Sequence, residues 1–118
     1  NVRERKFRFK IFRRYKKACM LCNMQVTELL TATHIRPISK LGSDDVRNGL
    51  LLCHLHHKAF KAGLFSINPS TYEITCRDSG PDKNELNIIT QELSNLPRKP
   101  HPKALNWHWD QWLTKNRT

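Results

Sequence analysis

The sequence predicts a small α+β fold whose elements run helix, strand, loop, strand, helix, hairpin and closing helix. Three observations predict it. Phe7, Ile11 and Tyr15 recur every four residues near the start; two strand-like stretches flank a loop marked by Pro37 and Gly42; and an amphipathic run follows Pro102. With 118 residues, 38% of them apolar, the chain is expected to form one domain, 1–118, with a single modest core. It divides into a basic leading helix (1–18), a central core (19–67), and a hairpin, loop and C-terminal helix (68–118).

The first apolar period predicts a helix over residues 3–16 with a basic outer face. Cys19–Asn23 reads as a tight turn. Val26–Ile35 is rich in β-branched residues and leucine and predicts a strand. The loop over 36–49 has room for one helical turn at Asp44–Arg47. Leu50–Leu52 predicts the second strand, and His54–Ala62 a helix ended by Gly63 in a left-handed cap. Leu64–Ile67 and Tyr72–Cys76, around Asn68-Pro69-Ser70, predict a hairpin. Residues 78–103 are rich in turns and proline; only Leu86–Leu93 would suit a short helix. Pro102 fits the first turn of a final helix reaching about Lys115, with Leu105, Trp109, Trp112 and Leu113 on its buried side.

Charge narrows the partner. The chain carries 21 Lys and Arg against 10 acids, a net charge of +11. Residues 1–18 hold nine of those cations and one acid, Glu4. Such a field suits a polyphosphate, whose counterions are released on binding. A solubilising or membrane-surface helix would share the charge. No run approaches the ~20 apolar residues of a membrane span, and no export signal is visible. A cytoplasmic protein is therefore expected, either processed or excised from a larger one, since the chain opens on Asn1.

The cysteines form two short pairs. Cys19 and Cys22 make a C-x-x-C turn, and Cys53 with His56 makes C-x-x-H, about 30 residues on. Two such knuckles can close a tetrahedral zinc site with four protein ligands and no open position. A redox dithiol would want a βαβ context, and a disulfide framework an exported chain. Cys76 lies in a strand pattern and reads as a small buried apolar residue.

The strings Thr33-His34-Ile35-Arg36-Pro37, Gly42-Ser43-Asp44-Asp45-Val46-Arg47-Asn48-Gly49-Leu50-Leu51-Leu52-Cys53 and His56-His57-Lys58-Ala59-Phe60-Lys61-Ala62-Gly63 stand in that order. Interleaved with the zinc pairs, they resemble the HNH branch of the ββα-metal nucleases, in particular its zinc-containing restriction and modification-dependent restriction endonucleases. The basic helix before Cys19 and the tail from Leu96-Pro97 to His108 extend the likeness over most of the chain. The resemblance implies a metal-dependent DNA endonuclease of bacterial restriction or defence. In it His34 is the general base, Asn48 fixes the loop that orients His34, and His57 ligates one catalytic divalent ion, Mg²⁺ or a transition metal. Taken singly, His34 also reads as a strand-end histidine, Asn48 as a turn residue and His57 as a helix-surface histidine.

Arg5, Arg8, Arg13, Arg14, Lys16, Lys17, Arg36, Lys58 and Lys61 are the candidate contacts to double-stranded DNA. A double-strand break would call for a homodimer or two visits, and target choice for a separate specificity domain. Two positions depart from the pattern. Thr33 stands where many members carry a metal-binding Asp, and Lys61 where the branch usually carries Asp; a lysine cannot replace that acid but can meet phosphate. These departures keep a second class open, a non-catalytic zinc-stabilised DNA-binding module. A zinc domain that binds acidic protein is a third.

Overall fold

A computed structural model describes residues 1–116. Helix α1 (Val2–Arg14) begins where the Asn1 side chain accepts the Glu4 N–H at 2.8 Å. Phe7, Ile11 and Tyr15 are buried as the period predicts, and Phe12 is buried with them. The helix stops short of residue 16 because Lys16 and Lys17 both take left-handed backbone, with φ of 57° and 54°.

Strands β1 (Leu30–His34) and β2 (Gly49–Cys53) pair antiparallel, from Leu30 opposite Cys53 to His34 opposite Gly49. The strand expected from Val26 starts only at Leu30. Thr27–Leu29 coil into a 3₁₀ turn, and Val26 and Leu29 are exposed. The reason is the partner's length: β2 gives way to a helix at Cys53, so nothing upstream of Leu30 has a strand to meet.

Every residue of β2 is buried. One edge of β2 takes β1; toward the other, Met20 N–H donates to Leu51 O at 2.9 Å, drawing the C-x-x-C turn onto the sheet. A Cβ on Gly49 would lie 2.3 Å from Ile11 Cδ1 and 2.9 Å from Phe7 Cζ. Only glycine lets α1 come this close to the strand.

The loop between the strands holds two 3₁₀ turns, Ile38–Lys40 and Val46–Asn48. The second sits two residues later than the turn expected at 44–47. Asp45 sets its start by accepting the Arg47 N–H at 2.8 Å.

Helix α2 (His54–Lys61) follows β2 directly, and Gly63 at φ +74° ends it as expected. Strands β3 (Phe65–Ile67) and β4 (Ile74–Cys76) form the hairpin. Its second strand is shorter than the sequence suggests because Tyr72 adopts φ 63°.

Leu86–Leu93 is not a helix. Asn87 at φ 56° breaks it, and the N–H groups of Ile89 and Thr90 both donate to Leu21 O, tying the segment to the cysteine turn. Helix α3 (Pro102–Lys115) starts with His101 accepting the Lys103 N–H at 3.0 Å. Its Leu105 and Trp112 are buried, but Trp109 and Leu113 only half so, since α3 packs on the three-residue strand β3 rather than on a broad sheet. Among the described residues, no helix is long and apolar enough to cross a membrane.

Candidate functional site

The cysteine turn, the end of β2 and the first turn of α2 meet at one point. The ligand atoms of Cys19, Cys22, Cys53 and His56 all lie within 4.8 Å of one another. Cys22 Sγ is 3.9 Å from Cys53 Sγ, and His56 Nδ1 lies 3.4 Å from Cys19 Sγ and 3.3 Å from Cys53 Sγ. A tetrahedral zinc with ordinary Zn–S and Zn–N bonds has edges of roughly 3.5–3.8 Å. The donor set therefore fits a structural zinc ion.

His56 is oriented for it: the fully buried ring donates from Nε2 to Leu86 O at 2.7 Å, which leaves Nδ1 as the lone-pair nitrogen facing the sulfurs. Burial, and then the neighbouring Cys19 and Cys53 sulfurs, push the Cys22 thiol up to about 12. A bound divalent cation would reverse that preference by ligating thiolate. All four cysteines are free, and half-buried Cys76, on β4, stands outside the group.

His34 ends β1 on the side facing α1. Its ring stacks on Phe7, with centroids 3.9 Å apart and planes 7° off parallel. Nε2 donates to Asp44 Oδ1 at 2.9 Å, and the other Asp44 oxygen pairs with Arg3. Arg3 first, and His34 second, hold the Asp44 carboxyl below the usual carboxylate range. A neutral His34 bonded this way carries its proton on Nε2 and keeps Nδ1 as an acceptor. Neither Asp44 nor the stacking role of Phe7 was foreseen from the sequence; the double acid of the Gly42–Cys53 string was the available signal.

Asn48 is buried and spends its carboxamide on the loop. Nδ2 donates to Arg36 O at 3.0 Å and to Ser43 O at 2.8 Å, and Oδ1 accepts the Arg36 N–H at 2.9 Å. The two ends of the loop are thereby clipped together immediately after His34.

His57 sits one residue beyond the zinc-facing His56, about 100° around α2. Its Nδ1 shares a hydrogen bond with Thr33 Oγ1 at 2.8 Å. Adjacent Thr33 and His34 leave opposite faces of β1, so Thr33 meets α2 while His34 meets α1. Burial first, then the Lys61 and His54 charges, lower the His57 pKa and favour the neutral imidazole a metal requires. Lys61 is exposed, yet surrounding atoms desolvate its ammonium and lower its pKa as well. Among the described residues the Cys₃His cluster is the one group of three or more metal-ligand side chains. With Nδ1 engaged by Thr33, an ion at His57 would have the Nε2 nitrogen of one imidazole from the protein, its other partners being water or phosphate.

The candidate DNA contacts are spread over three elements. Arg5, Arg8, Arg13, Lys16 and Lys17 are exposed on or just after α1, as is Lys58 on α2. Arg8 lies over the Phe12 ring and Arg13 over Phe9. Arg14 and Arg36 are half-buried and engaged, Arg14 with Lys99 O and Arg36 with Lys40 O and the Trp107 ring.

Residues 19–68 match the sequence pattern of a family described as HNH endonuclease. Among solved structures the chain is similar to a modification-dependent TagI restriction endonuclease, with a TM-score of 0.67 and 20% identity over 90% of this chain. It spans only 37% of that larger protein. No curated protein matches it. The strand–loop–strand–helix unit, the Cys₃His group and His34, Asn48 and His57 in that order all lie inside the segment that matches the HNH endonuclease pattern.

Proposed function

We propose that the protein is a metal-dependent endonuclease that hydrolyses phosphodiester bonds of double-stranded DNA, working in restriction of the kind the TagI name denotes. The observation that carries this reading is the Asn48 clip: a buried carboxamide making three hydrogen bonds whose sole effect is to hold the loop leaving His34. His34 takes the proton of the attacking water at Nδ1, and Asp44 steadies the imidazolium that results. Phe7 stacking keeps the ring from swinging out.

A divalent ion held by His57 would neutralise charge at the scissile phosphate. The cations of α1, with Arg36, Lys58 and Lys61, grip the flanking backbone. Zinc at Cys19, Cys22, Cys53 and His56 has no open position and holds the fold. Base-reading is assigned to a further domain, and double-strand cutting to two copies.

The test is conversion of supercoiled plasmid by zinc-loaded protein with added Mg²⁺, Mn²⁺, Co²⁺ or Ni²⁺, beside His34→Ala and His57→Ala. Cleavage lost in both folded variants supports the assignment. Lys61 favours a second reading, since its charge near His57 opposes a metal ion. A native protein that binds DNA but cuts with none of the four ions would be the non-catalytic module instead.

A further inference from the structure

Leu41 is the most exposed large apolar side chain among the described residues, at 87%. It also has left-handed backbone, φ 69° and ψ 23°, a conformation that a side chain branched at Cγ gains nothing from adopting. A residue that is costly in both solvation and backbone, yet packs against nothing, points to a partner rather than to folding.

The loop around it is rigid. Lys40 N–H and Gly42 N–H both donate to Pro37 O at 2.9 Å, Leu41 N–H donates to Ile38 O, and Arg36 Nε donates to Lys40 O at 2.6 Å. At Gly42 a Cβ would fall 1.8 Å from Arg36 O, so this tip closes only with glycine behind Leu41. The Asn48 clip anchors the same loop beside His34.

Leu41 stands on the ridge between two hollows. The larger, of about 820 Å³, opens between the loop, the end of α2 and α3, and is lined by Arg36, Lys40, Lys61, Arg77 and Lys115. The smaller, of about 260 Å³, lies toward the start of α3 and carries Arg36 and Lys103, with Arg47 paired to Asp45 at its wall. An apolar point between two cationic troughs complements a duplex groove, where stacked bases lie between two phosphate strands.

We propose that Leu41 is a wedge that enters the DNA between neighbouring base pairs and unstacks them next to the scissile phosphate. This rests on the nuclease reading above. The two troughs take the strands on either side, and the rigid loop transmits the fixed spacing from Leu41 to His34. Bending the duplex at the wedge brings one backbone toward the His34 end of β1.

The experiment uses the zinc-loaded chain and a short duplex carrying 2-aminopurine at several internal positions, without added divalent ion. Anisotropy of an end label reads binding, and 2-aminopurine fluorescence reads unstacking. Leu41→Gly is the central variant: it should melt no lower than the native protein, because glycine adopts this backbone freely and the lost side chain was in water. The native protein should raise the 2-aminopurine signal severalfold. Leu41→Gly and Leu41→Lys should bind within about tenfold of native affinity yet leave the signal at the free-duplex level, and should cleave plasmid roughly tenfold more slowly. A native protein that binds without raising the signal, or a Leu41→Gly variant that raises it equally, overturns the wedge and leaves the nuclease reading standing. A native protein that does not bind the duplex overturns both.

Discussion

Replacing Asn48 with Ala separates clamp from chemistry. The change removes three hydrogen bonds at 2.8–3.0 Å from a side chain only 6% exposed. At about 1 kcal/mol each, the loss is about 3 kcal/mol, and more if Arg36 O and Ser43 O find no water. For a domain of this size that lowers Tm by roughly 10–15 °C. Asn48→Asp should be at least as damaging, because it keeps the acceptor for the Arg36 N–H but sets an oxygen against two carbonyl oxygens. Plasmid cleavage should fall about a hundredfold as His34 loses its fixed position. Thermal melting followed by circular dichroism, with the zinc-loaded cleavage assay alongside, measures both. If Asn48→Ala melts within about 3 °C of the native protein while cleavage is abolished, the clamp is refuted and Asn48 acts on substrate directly.

Cys19→Ser and Cys53→Ser, or prolonged chelation, should abolish the cooperative melt, because binding free energy of structural zinc is folding free energy; variants that melt normally would remove the zinc assignment. Gly49→Ala should cost about 1–3 kcal/mol in chemical denaturation by forcing Ile11 and Phe7 off the strand, and should slow cleavage through the displaced His34 stack. Burial first, then Lys61 and Lys115, hold His108 down at about 4, where it bonds Ser66 Oγ at 2.7 Å. An unfolded histidine titrates near 6.5, so between those values the unfolded chain binds the extra proton; stability should fall by roughly 3 kcal/mol from pH 7 to pH 4, and His108→Gln should flatten that slope. DNA binding by six or more phosphate contacts should weaken about a thousandfold between 50 and 200 mM salt; a flat response would dismiss the basic face as the contact surface.

The order His34, Asn48, His57 was read from the resemblance of whole strings to a family, whereas the cysteine pairs were legible because each is carried by short-range spacing. So was the phase of α1, through Phe7 and Ile11, and the Gly63 stop. The overreach at Val26–Leu29 came from β-propensity, which cannot show that β2 is only five residues long. Leu86–Leu93 looked helical by apolar spacing, but its backbone is claimed by Leu21 and its Leu86 carbonyl by His56, partners far away in sequence. The Asp44–His34 contact was hidden for the same reason. It depends on where the loop folds back, and that is decided by Asn48 and Gly42 together rather than by Asp44's neighbours.

His56 and His57 are consecutive on α2, one aimed at the zinc cluster and the other at Thr33. A short helix can otherwise roll about its long axis at little expense, and a roll of one residue's angle would carry His57 away from the strand. A zinc ion held by the knuckle would act as a key in a shaft, indexing the angular setting of α2 and with it the direction in which His57 points. Removing zinc should then take the cooperative melt and the setting of His57 away together.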